Sequence, residues 1–340
     1  MIVAVDAQLT VGTATGAGIY ARDLLAGLRA IGVDARGLSN PTLNPWRFDR
    51  RVLWDQVQLP LAAGRSGATL LHATSGTMPL LRSLPTVVTV HDLAWHRVQT
   101  HTRLYARAYF GAFQARLYRS AAAIITDSTF TATEYKNLID ANATIDVIHP
   151  GVDARFATIE RRPDETPFAL VVGTVEPRKN LGILVEALAA IPTLRIVSVG
   201  PPTAYAEEVK KEAAHLHVAD RLDLRGYITQ PDLDDLYARA TCALVPSRYE
   251  GFGYALAEAM CAGLPAIAAA SSSLIEVAGA DVPLLPPTDA STWTDEIRAL
   301  LNARDAAEER AVNLRRSAIA RFSWQAAAMR TAAVYTRIQA

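Results

Sequence analysis

The run Thr241-Cys242-Ala243-Leu244-Val245-Pro246 is followed by Ser247-Arg248-Tyr249-Glu250-Gly251-Phe252-Gly253 and then by Tyr254-Ala255-Leu256-Ala257-Glu258-Ala259-Met260. Its first part is uncharged and apolar, ends at a proline, and reads as a strand covered on both faces. A loop with two glycines then opens into a helix near Tyr254, which Gly263 and Pro265 terminate. The next apolar run, Ala266–Ala269, is therefore a second strand of the same sheet. Glycines at a helix entrance let backbone amides approach an anion, and the helix dipole favours negative charge there.

The same rhythm runs outward in both directions. The first half predicts strands at Ile2–Asp6, Thr69–His72, Thr86–His91, Ala123–Thr126 and Ile145–Ile148, with helices near Ala17–Ile31, Thr102–Ser120 and Phe130–Ile139. The second half predicts strands at Phe168–Gly173, Arg195–Gly200, Leu222–Leu224, Thr241–Pro246 and Ala266–Ala269, separated by helices at Leu181–Ala190, Tyr205–His215, Asp232–Ala240 and Tyr254–Ala262. Apolar strands alternating with helices make parallel sheets, so the fold class is α/β with two doubly wound, Rossmann-like domains. A length of 340 residues suits two domains. The charged stretch Ile159 to Pro167, with two prolines and no periodicity, reads as the linker. The expected boundaries are 1–160, 161–322, and a C-terminal helix over 323–340 that returns to the first domain. Ligands are expected outside the carboxyl ends of the strands, in a cleft between the domains.

Composition removes several classes. Lys+Arg and Asp+Glu balance at 34 each, which gives no basic field for nucleic acid. Residues 1–119 nevertheless hold 13 Lys/Arg against 6 Asp/Glu, which suits an anionic partner or an uneven scatter of surface charge. The two cysteines, Cys242 and Cys261, lie in apolar runs and read as buried inert thiols, not as a disulfide framework or metal site. Met1-Ile2-Val3-Ala4-Val5-Asp6 reads as a first strand, not a signal peptide. The longest uncharged stretch, Ala259 to Ile275, is too short and too broken by Gly263 and Pro265 to span a bilayer. A cytoplasmic protein, free or docked on the inner face of a membrane, is expected.

Two carboxylates bracketing an anion cradle would repel a phosphate, so Glu250 and Glu258 more naturally accept hydrogen bonds from hydroxyls. The bland alternative is that Glu250 caps the helix and Glu258 is a solvated helix residue. Spacing alone leaves both readings open. The stretch resembles the paired-glutamate motif of GT-B retaining glycosyltransferases, in particular family four. Seven further segments are similar to that family, in its order. Gly16-Ala17-Gly18-Ile19-Tyr20 resembles its glycine-rich loop, Val90-His91-Asp92 its histidine at a strand end, and Asp127-Ser128-Thr129 its serine-containing turn. Ile148-His149-Pro150-Gly151 resembles the segment leading to the second domain, and Gly173-Thr174-Val175-Glu176-Pro177-Arg178-Lys179-Asn180 the phosphate loop. Gly226-Tyr227 with Asp232–Tyr237, and Ser273-Leu274-Ile275-Glu276, complete the pattern.

The resemblance implies a GT-B arrangement and assigns roles. Glu250, His91 and Lys179 would be catalytic: Glu250 on the sugar hydroxyls, His91 beside the sugar, Lys179 on the diphosphate. Glu258 would hold the ribose diol. Gly16, Gly18, Arg178, Phe252, Gly253 and Tyr254 would complete the substrate site, the Phe252 and Gly253 amides meeting the diphosphate. The family's arginine after the phosphate-loop glycine is replaced by Thr174, which leaves Arg178 as the candidate substitute. Asp232-Leu233-Asp234-Asp235 superficially matches a metal-binding Asp-x-Asp, but acidic residues at a helix start are explained by the macrodipole. No metal and no cofactor are expected, the nucleotide sugar being a substrate. In Thr102–Ser120, Arg103 and Arg107 share a helical face while Arg116 and Arg119 point away, so no clean membrane-facing stripe results. Peripheral membrane contact stays an option, and the sequence leaves the oligomeric state open. The expected activity is retaining, metal-independent transfer of a hexose, GDP-mannose being the first choice of donor, to a glycan or lipid-linked acceptor. The alternatives are a non-catalytic nucleotide-sugar or glycan-binding protein and a sugar-nucleotide epimerase on the same scaffold.

Overall fold

The computed structural model describes residues 1–12, 16–97 and 104–340. It forms two compact α/β units. The first comprises Met1–Gly151 with Phe322–Ala340, and the second Val152–Arg321.

The first unit carries a six-stranded sheet of β1 (Ile2–Asp6), β2 (Asp34–Leu38), β3 (Leu70–Ala73), β4 (Thr86–Val90), β5 (Ala123–Thr126) and β6 (Ile145–Val147). The order is β2-β1-β3-β4-β5-β6, and every pairing is parallel. The order reverses between β1 and β3, so the loops leaving those strands diverge and open a crevice at their carboxyl ends. Val3, Val5, Leu24, Leu28, Leu70, Val87 and Ile125 form one side of its core. The C-terminal helix, Trp324–Gln339, lays Ala327, Ala328, Val334 and Tyr335 into that cluster. Two glycines make its docking close. A Cβ at Gly27 would lie 3.1 Å from Ala328 Cβ, and one at Gly151 would lie 2.3 Å from the Trp324 backbone nitrogen.

In the second unit β7 (Phe168–Val172), β8 (Arg195–Val199), β9 (Leu222–Leu224), β10 (Cys242–Val245), β11 (Ala266–Ala269) and β12 (Leu284–Leu285) order as β12-β11-β10-β7-β8-β9, again all parallel. Here the reversal lies between β7 and β10. The phosphate loop leaves β7, and the stretch carrying Glu250 leaves β10, on either side of that point. Gly200 allows β7 and β8 to end close together: a Cβ there would meet the Gly173 carbonyl oxygen at 2.2 Å.

The expected linker is not one. The chain passes between units at Gly151–Val152, and the charged stretch beyond it is bound to the second unit. Arg161 donates to the carbonyls of Ala238 at 2.9 Å and Ala240 at 2.7 Å and pairs with Glu308 at 2.8 Å. Its charge closes the C-terminal carbonyls of the Gln230–Arg239 helix instead of facing water. The Thr102–Ser120 expectation resolves into helical turns at Leu104–Arg107 and Gln114–Tyr118 around a π-helical segment, Ala108–Phe113. Thr102 and Arg103 lie outside the described residues. No helix among the described residues is long and apolar enough to cross a membrane. Cys242 and Cys261 are buried, and burial pushes both thiols up to about 12.

Candidate functional site

Beyond β7 the chain turns through Gly173, at φ +137°, into a short 3-10 turn, Pro177–Lys179. Asn180 follows in the left-handed region at φ +59°. That conformation is tolerable for asparagine and is fixed here by its side chain, which donates to the Pro246 carbonyl at 3.1 Å and the Pro287 carbonyl at 2.9 Å. Arg248 donates from its backbone to the Arg178 carbonyl at 2.7 Å, tying the two loops together. Arg178 and Lys179 are thus delivered to the end of β10.

They meet Glu250 there. Lys179 Nζ lies 2.6 Å from Glu250 Oε1, and Arg178 donates to Oε2 at 3.1 Å. Arg178 also pairs with Glu176 at 2.8 Å and donates to the Tyr249 carbonyl at 3.0 Å. Glu250 is buried, and its amide donates to Ser272 Oγ at 2.9 Å. Burial opposes ionisation of this carboxyl, but the Lys179 and Arg178 charges and the hydrogen bonds from Lys179 and Ser247 outweigh it, holding the group at about 2. The helix itself opens at Gly253, and both Glu250 carboxylate oxygens are engaged by cations from the other loop.

Gly253 is needed for two reasons, a φ of +101° and the 2.7 Å that would separate a Cβ from Leu274. Phe252 is buried, its carbonyl accepts from Ser273 Oγ at 2.8 Å, and its ring meets Tyr254 edge-on at 5.3 Å. Glu258 follows inside the helix. It is half-buried and accepts from the Tyr237 phenol at 2.9 Å. Burial raises its carboxyl to about 7, against the Tyr237 bond and the charges of Arg155 and Lys179. The Asp-x-Asp carboxylates are engaged locally. Thr229 caps the helix through the Asp232 amide, Asp234 pairs with Arg155 at 3.0 Å, and Asp235 with Arg239 at 3.0 Å.

The remaining expected residues belong to the first unit. Gly16 and Gly18 open the Gly16–Ala30 helix, Gly16 exposed and Gly18 buried. His91 follows β4 with both ring nitrogens engaged, Nδ1 on Asp127 at 2.6 Å and Nε2 on the Thr74 carbonyl at 2.7 Å. Two acceptors demand two protons. Burial disfavours the charged ring, but Asp127 and the Thr74 carbonyl outweigh it and raise the pKa, which favours the doubly protonated form. Sequence reading singled out His91 and Asp127 separately, and only the fold makes them a pair. Thr74 carried no signal, and Tyr237 entered only as the end of the Asp232–Tyr237 segment.

The model for "Glycosyltransferase Family 4" matches residues 14–156, and that for "Glycosyl transferases group 1" matches residues 154–320. The chain belongs to these glycosyltransferases. The D-inositol 3-phosphate glycosyltransferase of Mycobacteroides abscessus is 31% identical over 264 residues, covering 72% of this chain and 59% of that protein. The MMP α-(1→4)-mannosyltransferase of Mycolicibacterium hassiacum is 29% identical, covering 80% and 68%. This chain therefore spans little more than half the length of the first relative. Among solved structures, Anabaena HepE in complex with UDP and glucose superposes with a TM-score of 0.73 at 18% identity, covering 98% of this chain and 99% of that one. The fold is GT-B, each unit a six-stranded parallel sheet.

Proposed function

We propose that the protein transfers a hexose from a nucleoside diphosphate sugar to a hydroxyl of a glycan or lipid-linked acceptor, with retention at the sugar and without a metal. The observation that carries this reading is the Lys179–Glu250–Arg178 cluster at the point where the sheet order reverses. The leaving group of such a reaction gains negative charge, and fixed cations at that point stabilise it. Lys179 suits the task because its stem runs past Gly173, where a Cβ would come within 3.2 Å of Cε. One ammonium can then be shared between Glu250 and a diphosphate, freeing Glu250 oxygens to accept from sugar hydroxyls. Arg178 acts mainly through Glu250. Glu258 takes the ribose diol, and the amides around Phe252, Gly253 and Tyr254 face the phosphates. In the first unit, Gly16 and Gly18 open a helix whose amino terminus suits an anionic group. His91, held by Asp127 and the Thr74 carbonyl, is assigned to the sugar.

Mannose is the first choice of sugar, because the phosphate loop and the Glu-Gly-Phe-Gly stretch are similar to mannosyltransferases and one relative bears that name. Glucose is the runner-up, since HepE was crystallised with UDP and glucose. Exposed Leu61, Leu80 and Leu81, on a unit rich in arginine, support contact with a membrane surface where a lipid-linked acceptor would lie. The test is nucleotide release from GDP-mannose and UDP-glucose, with and without an acceptor alcohol, before and after exhaustive chelation. Release only with acceptor, unchanged by chelation, is expected. Interconversion of sugars without acceptor would make the protein an epimerase, binding without release a lectin-like protein, and loss restored by magnesium or manganese a metal enzyme.

A further inference from the structure

We infer that Tyr237 is a positioning residue for the donor: its phenol orients the Glu258 carboxylate that takes the ribose. The inference rests on the assignment of Glu258 to the ribose made above. Tyr237 is fully buried near the end of the Gln230–Arg239 helix, and its ring meets Phe156 edge-on at 4.9 Å. Its hydroxyl donates to Glu258 Oε2 at 2.9 Å. Oε1 of Glu258 has no hydrogen-bond partner among the described residues, and it is not sealed from solvent. One oxygen is therefore fixed and the other is offered.

The neighbouring cations do not do this work. Arg155 stands 4.3 Å over the Phe156 ring with its guanidinium engaged by Asp153 at 3.2 Å and Asp234 at 3.0 Å. Lys179 is bound to Glu250. Both favour the Glu258 carboxylate through charge only, while Asp153 disfavours it. The remaining titratable neighbour, the Cys261 thiol, is uncharged at neutral pH. The terminal torsion of a glutamate is broad, so an untethered carboxylate would lose rotational freedom on meeting a diol. A single buried phenol removes that loss before the ligand arrives. It also makes the carboxylate easier to form where burial resists it.

Tyr237→Phe keeps the ring against Phe156 and deletes the donor. Titration of GDP and UDP against the full-length protein between pH 6 and 9, with steady-state kinetics, reads the effect. For whichever nucleotide the parent binds, affinity at neutral pH should fall roughly tenfold, the scale of a lost hydrogen bond to a charged group. Donor KM should rise by a similar factor with kcat nearly unchanged, and the pH midpoint of binding should move upward, so that the deficit narrows near pH 9. A merely structural tyrosine would not move that midpoint. Tyr237→Leu takes the same measurements if the phenylalanine variant does not fold. Unchanged affinity and midpoint, while Glu258→Gln weakens nucleotide binding, would overturn the role of Tyr237 alone. If Glu258→Gln also binds like the parent, or the parent binds neither nucleotide, the ribose assignment fails and takes the inference with it.

Discussion

Glu250 and Glu258 stand eight residues apart on one loop–helix segment, and their surroundings drive them in opposite directions. Glu250, buried between an ammonium and a guanidinium, is held at about 2. Glu258, half-buried and hydrogen-bonded among the described residues by the Tyr237 phenol, rises to about 7. Burial pushes both carboxyls upward, so the opposite outcome at Glu250 is made by the cations. Those cations come from another loop altogether, the one leaving β7. The first is a permanently charged group in a compensated cluster, and the second is poised to change charge near neutral pH.

Removing one cation breaks the contrast most severely. Lys179→Ala should lower kcat/KM at least tenfold, about 1.4 kcal/mol of transition-state stabilisation, because Glu250 keeps only Arg178 while the diphosphate loses its counter-charge. Unchanged kinetics would take Lys179 out of the site.

Stability gives a smaller and sharper contrast, because the two carboxyls slope in opposite senses. Glu250 is depressed from 4.5, so the stability it contributes is present above 4.5 and is lost as pH falls towards 2. Glu258 is raised from 4.5, so the fold is favoured while it stays protonated, and that advantage drains as pH rises from 4.5 through 7. Glu258→Gln should therefore raise Tm by roughly a few degrees at pH 8 and much less at pH 4.5. Glu250→Gln should lower Tm at pH 7, with the deficit shrinking below pH 4.5. Thermal melts across that range would contradict the assignments if both variants moved in the same sense.

The α/β class was legible because β3, β4, β7, β8 and β10 are apolar runs at almost the lengths observed. β2, Asp34-Ala35-Arg36-Gly37-Leu38, was not, since an edge strand needs no apolar run and this one is mostly exposed. The Arg304–Arg321 helix was equally hidden: its buried face is three alanines, which carry no stripe. In the site, local chemistry showed which residues carry charge but not which of them meet. Asp127 beside His91, or Tyr237 beside Glu258, follows from neighbouring helices and strands converging over 36 and 21 residues of sequence. The arginines of 161–162 misled for the same reason. Their charge looks like solvated linker, whereas Arg161 is spent on helix carbonyls.

The division of labour between the two glutamates is tested most directly by paired titrations of Glu250→Gln and Glu258→Gln, free nucleoside diphosphate binding against steady-state transfer. Interactions with a part of the donor that does not react act as uniform binding, while those at the reacting sugar can strengthen in the transition state. Glu250→Gln is expected to lose chiefly kcat and to keep its nucleotide affinity, and Glu258→Gln to bind both nucleotide and donor more weakly. Loss of nucleotide affinity in Glu250→Gln with none in Glu258→Gln would contradict the assignment and exchange the two roles.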